Sequence, residues 1–230
     1  MACFSAAKAH SSISRGWLAS GTGRGAVVGS PPSAAELLRR HGQSIQELDH
    51  LLRDWELWAA DLLESHLSYP VLCYYRSQHN NQSWLTALTA VLDASALVMV
   101  GMEGAPKRQA QLTFAMARHA VVDLAQIFYT PPREPIPDRL TSDELTRLRG
   151  VLAAAGVKLA GGAAADQRLS ELRRMYEPFV SPLADFLFIP LPPWVPVDES
   201  FDNWQTSRWG RISGLAQAPC SPSSEEEEHF

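Results

Sequence analysis

Cysteine is scarce in this chain: Cys3, Cys73 and Cys220 lie far apart, and no two form a Cys-x-x-Cys pair. That usage argues against a disulfide framework and against a zinc knuckle, and it fits a reducing compartment. An excess of positive charge is missing as well. The formal net charge is −5, whereas a general nucleic-acid binder needs a basic face to neutralise phosphates. Local catalytic signatures are absent too. There is no Gly-x-Ser-x-Gly elbow, no His-Glu-x-x-His and no kinase set. Gly21–Thr22–Gly23 and Gly161–Gly162 lack the Lys-Ser/Thr or the strand context of a phosphate loop. A site assembled from distant residues leaves no such motif, but the expectation is a non-enzyme without cofactor or metal.

What is present is ordinary globular composition, 46% hydrophobic and 20% charged over 230 residues, enough for one domain with a real core. The first 32 residues contain Lys8, Arg15 and Arg24, no acidic residue, and much Ser, Gly and Ala. Organellar transit peptides have that composition, but residues 1–32 are read here as a disordered or non-native segment. Residues 189–230 are Pro-rich and end near the run Glu225 to Glu228. They are expected to form a disordered or loosely draped acidic tail.

Between these ends, residues 33–188 read as an all-α bundle of about five or six helices. Ser33 with Glu36, Ser44 with Glu47, and Thr141 with Glu144 are spaced as capping boxes, and Gly42 is placed as a stop. In the segment opened by Ser44, the positions Ile45, Leu48, Leu52, Trp55, Ala59 and Leu62 form one apolar stripe, widened by Leu51 and Trp58. Ser83 is a candidate cap for a run carrying Trp84, Leu88, Val91, Leu92, Val98, Met99 and Met102. After Pro106, Ala110, Phe114, Ala117, Val121, Leu124 and Phe128 share a face. Leu169, Leu172, Tyr176, Phe179, Leu183 and Phe186 keep helical spacing across Pro178 and Pro182, which predicts a kinked or broken helix.

Residues 84–102 carry a single charge, Asp93, and approach the length of a membrane span. A carboxylate near the bilayer centre would cost roughly 2.5–3.5 kcal/mol on insertion scales. Thr86, Thr89 and Ser95 add polar load, and no aromatic belt or basic flank marks both ends. The run is therefore expected to be a buried core helix.

Polar residues that could serve a ligand fall in two places. Arg76, His79, Asn80, Asn81 and Gln82 form the densest polar cluster, beside Tyr74, Tyr75 and Trp84. Their structural reading is a capping loop that satisfies helix ends. Asp93, His119 and Asp123 are ionisable groups inside apolar helices, where charge must be paired or used. A carboxylate-bridged metal site would want paired Glu-x-x-His motifs on separate helices, and none is present. The pair His119 and Asp123, four apart, is instead read as a local contact. The candidate ligand set is Arg76, His79, Asn81, Asp93, His119 and Asp123, with no catalytic, cofactor or metal assignment.

Three long blocks carry a resemblance: "GSPPSAAELLRRHG", "LLRDWELWAADLLESHLSYPVLCYYRSQHNNQSWLTALTAVLDASALVMVGMEG" and "RQAQLTFAMARHAVVDLAQIF". Together with "WVPVDESFDNWQTS" they resemble the cytosolic C-terminal region of bacterial two-pore-type potassium channel family proteins, over residues 29 to 205. In that family these segments follow the second membrane helix of the pore module. This chain departs from the pattern: it has no Thr-Val-Gly-Tyr-Gly filter, whose carbonyls replace the ion's hydration shell. The resemblance thus implies a non-enzymatic cytoplasmic regulatory or assembly domain, unable to conduct ions alone. Its expected partners are copies of itself or channel subunits, with the membrane reached only through a pore module missing from this chain. The rival expectation is a small-ligand or ion sensor built on the candidate set above.

Overall fold

The computed structural model describes residues 33–75 and 83–195. Residues 1–32, the cluster Arg76, His79, Asn80, Asn81 and Gln82, and the tail beyond 195 lie outside the described residues. Among the described residues the chain is all-α. It forms α1 (Ala34–His41), α2 (Ile45–Ser68), a 3-10 turn (Pro70–Tyr74), α3 (Trp84–Gly101), α4 (Lys107–Ile127), α5 (Ser142–Ala154), α6 (Ala163–Arg174) and α7 (Glu177–Leu187).

The starts follow from cap chemistry. Ser33, Ser44, Ser83 and Thr141 each accept the backbone N–H three residues on, satisfying one orphan donor of the first turn. Only at Thr141 does the glutamate reach back, with Glu144 Oε2 accepting the Thr141 N–H at 2.9 Å to complete the box. The predicted break in the last helix falls between Arg174 and Glu177. Pro178 sits in the first turn of α7, where its missing N–H is harmless, and Pro182 is carried inside the helix.

Helix α3 is the axis of the bundle, touching α1, α2, α4, α6 and α7. Every residue from Leu85 to Val98 except Ala87 is buried. It is long and apolar enough to cross a membrane, but here its apolar surface is covered by the other helices, as a core helix requires. Removing each Leu side chain from water contributes about 1.5–3 kcal/mol, so α3 supplies much of the drive for collapse. Gly101 ends it at φ +152, and a Cβ there would lie 2.6 Å from the Ala160 Cβ. Only glycine allows that approach, across which Ala160 N–H donates to the Gly101 carbonyl at 2.6 Å.

Helices α2 and α4 share the most extensive packing of any two helices described. Thr113 Oγ1 on α4 donates to the Leu52 carbonyl of α2 at 2.8 Å, and Gln109 Nε2 donates to Glu56 at 2.6 Å. The stripe predicted for α2 is buried at Leu48, Leu52, Trp55, Trp58, Ala59 and Leu62, but Ile45 at its first turn is 46% exposed.

The bundle also runs further than residue 188. Ile189, Trp194 and Val195 are buried, forming a strap across the fold. Thr86 Oγ1 donates to the Pro190 carbonyl at 2.9 Å, Arg139 Nη2 to the Pro192 carbonyl at 3.1 Å, and Ala35 N–H to the Trp194 carbonyl at 3.3 Å. The start of the Pro-rich tail is therefore part of the core. Its carbonyls are satisfied by side chains and by the free N–H of a helix start, and it needs no periodicity of its own.

Candidate functional site

Asp93, the lone charge of α3, is fully buried and anchors an ion cluster. Arg139, in the turn before α5, donates through Nη2 to Asp93 Oδ2 at 2.8 Å and through Nη1 to Glu177 Oε1 at 2.9 Å. Arg173, one turn before Glu177, donates to both of its oxygens, from Nε at 3.2 Å and from Nη2 at 3.0 Å. Arg173 also bonds Asp138. Tyr176 donates its hydroxyl to Asp93, and its ring meets Phe114 of α4 edge-on with centroids 5.8 Å apart. The guanidinium carbons of Arg139 and Arg173 each lie 5.8 Å from the Trp194 ring centroid, within cation–π range.

Two buried carboxylates thus face two guanidinium groups, and the charges cancel. Burial alone would work against the Arg139 charge, but Asp93, Tyr176 and Glu177 more than compensate and hold its pKa above the ordinary arginine value. Burial, reinforced by the charges of Asp93 and Glu177, lifts the Tyr176 phenol well above its usual range, so it remains a donor. Glu177 is also raised, by burial first, with Arg139 and Arg173 opposing. Both Glu177 oxygens nevertheless accept from arginine N–H groups, the geometry of a carboxylate.

Of the proposed ligand set, the described members Asp93, His119 and Asp123 do not form one site. Asp93 is buried against Arg139 and Tyr176, whereas His119 on α4 is 62% exposed in its side chain and pairs locally with Asp123 at 3.4 Å. The pairing read from the i,i+4 spacing is present; a shared site with Asp93 is not. Arg76, His79 and Asn81 fall outside the described residues. Among the described residues no three His, Cys, Asp or Glu side chains converge in a metal-holding group.

A second feature lies at the surface where the 3-10 turn, α4 and α7 end. The rings of Tyr74, Phe128 and Phe186 pack on one another with centroids 5.5–6.4 Å apart, yet Tyr74 and Phe186 are 56% and 44% exposed. Phe186 shares the helical spacing of the buried Leu169, Leu172, Tyr176 and Leu183, yet it reaches the surface. Helices α4 and α7 both close with the bonding of a Schellman motif, Thr130 N–H to the Ala125 carbonyl and Ile189 N–H to the Ala184 carbonyl. The left-handed position of that motif usually holds glycine. Here it holds Tyr129 and Phe188, both at φ 53 and 91% and 81% exposed. The left-handed conformation costs an L-residue roughly 1–2 kcal/mol, and neither side chain recovers that through burial.

No protein-family model, no curated protein and no solved structure matches this chain. The two features above rest on geometry alone.

Sequence reasoning missed the cluster: Arg139 and Tyr176 as partners of Asp93, with Glu177, Arg173 and Trp194 gathered around them. One signal was available: a carboxylate inside an apolar helix demands a cation. Nothing in the spacing says which arginine answers, because Arg139 lies 46 residues away in a proline-rich turn.

Proposed function

We propose that the chain is a non-enzymatic helical assembly and regulatory domain of the kind the resemblance implies. In that reading it corresponds to the cytoplasmic C-terminal part of a two-pore-type potassium channel family protein, acting by association with copies of itself or with pore-bearing subunits. The observation that carries the reading is the closure of the ion cluster. Asp93, Glu177, Arg139 and Arg173 neutralise one another, and in doing so they tie α3, the turn before α5, α6, α7 and the strap into one unit. Groups engaged this way orient helices; they are not presented to a substrate.

Such a unit supplies a rigid body through which a partner can transmit force or position. The experiment that tests it is the absolute mass of the full chain in detergent-free solution, by light scattering over a concentration series. A dimer or tetramer is expected. A strict monomer at high micromolar concentration that also binds no pore-bearing subunit would overturn the reading.

A further inference from the structure

We propose that the aromatic rim at the ends of the 3-10 turn, α4 and α7 is the surface through which two copies of this chain associate. This inference rests on the assembly reading above and names its contact.

The rim comprises Tyr74, Tyr75, Phe128, Tyr129, Phe186 and Phe188. Five of these are 44–91% exposed. At about 150–250 Å² per aromatic side chain, those five present on the order of 700 Å² of largely apolar surface. That exceeds the few hundred Å² usual for a patch on a monomer and approaches the roughly 800 Å² that each partner contributes to a standard interface. Backbone geometry gives an independent reason. Tyr129 and Phe188 hold large aromatic rings outward from the two positions where glycine would relieve strain. A strained residue that gains nothing within its own chain is accounted for when a contact outside it completes the packing.

A second copy fits better than a lipid surface. The charged side chains beside the rim, Arg133 and Asp185, are exposed and paired with each other, so no free basic fringe is formed by them, and the chain carries a net −5. An anionic bilayer would repel that net charge. Across a two-fold axis the same rim meets itself, aromatic rings supply the desolvated centre, and Arg133 with Asp185 supplies a polar edge that matches its own copy.

The test compares the full chain with the Tyr129→Gly/Phe188→Gly double variant by sedimentation velocity over a concentration series. Glycine suits both left-handed positions, so the double variant should keep its helical circular dichroism and its melting temperature when dilute. Its dimer dissociation constant is expected to rise at least tenfold. If it dimerises within twofold of the parent chain, the rim is not the interface, although assembly itself stands. A parent chain that stays monomeric overturns the rim, and the assembly reading falls with it when the chain also binds no pore-bearing subunit. Flotation of such a monomer with phosphatidylcholine vesicles would assign the rim to a membrane surface instead. If the double variant loses its helical signal, Phe186→Ser reads the same surface by the same tenfold criterion.

Discussion

At the scale of single residues, Arg139 shows how position decides what a charge does. A surface ion pair is worth about 0–1 kcal/mol, but Arg139 is the cation that allows Asp93 and Glu177 to be buried at all. Replacing it by a well-packed apolar residue leaves two carboxylates without their shared donor. Arg139→Met is accordingly expected to lower unfolding stability by about 3–5 kcal/mol, read as a shift of the urea midpoint with the slope unchanged. A loss under 1 kcal/mol would mean that Arg173 takes over both carboxylates. Cys73 illustrates the opposite use of burial. It is fully covered, its carbonyl accepts from Trp84 Nε1 at 3.2 Å, and burial pushes its thiol up to about 12. The thiolate is the reactive form, so Cys73 should resist iodoacetamide at pH 8 in the native protein and take up label once urea unfolds it. Site-resolved mass spectrometry checks this, and rapid native labelling would contradict the packing described.

At the scale of elements, His66 couples the last turn of α2 to pH. Its Nδ1 lies 2.8 Å from the Leu62 carbonyl, which can only accept, so that nitrogen carries the proton and the neutral ring rests 5.2 Å from the Trp84 ring. Burial depresses its pKa below the ordinary 6.5, with the bond to Leu62 opposing; His41 is depressed as well, by burial first. A lowered imidazole pKa means that the unfolded chain binds the proton more readily. Stability is then complete above pH 6.5 and falls as pH drops below it toward the folded values. Between pH 7.5 and 5.5 the urea midpoint should decrease, and His66→Gln should flatten part of that decrease. An equal decrease in the variant would remove His66 as a source. The elements themselves were largely legible in sequence. Ser33, Ser44, Ser83 and Thr141 marked four helix starts, and Pro178 marked the break, because cap and proline effects act within one turn. Ile45 and Phe186 kept core spacing yet are exposed, because a stripe predicts a face and not where along it the neighbouring helix ends. Asp93 was legible as a charge needing a partner, and His119 with Asp123 as a local pair. Arg139 and the strap were not, since their pairing is purely tertiary, and the i,i+4 pair of Arg173 and Glu177 spans the break between α6 and α7.

At the scale of the whole molecule, the strap makes the C-terminal end of the bundle and the ion cluster one mechanical unit. Trp194 lies under both guanidinium groups, while its backbone carbonyl holds the first turn of α1 through Ala35. Losing the indole removes a large buried side chain, which costs about 3–5 kcal/mol in cores generally, and it also uncovers the faces of Arg139 and Arg173. Arg139 in turn holds the strap through the Pro192 carbonyl, so either change loosens what the other residue rests on. The two effects should therefore not add. Trp194→Ala combined with Arg139→Met is expected to destabilise by less than the sum of the single changes, with a coupling of about 0.5–3 kcal/mol, whereas distant sites add within about 0.3–0.5 kcal/mol. A double-mutant cycle in urea measures this, provided that each variant unfolds in a single transition. Strict additivity would show that the strap merely lies across the cluster. Coupling would show that the strap around Trp194 and the ion cluster around Asp93 stabilise one another as one unit.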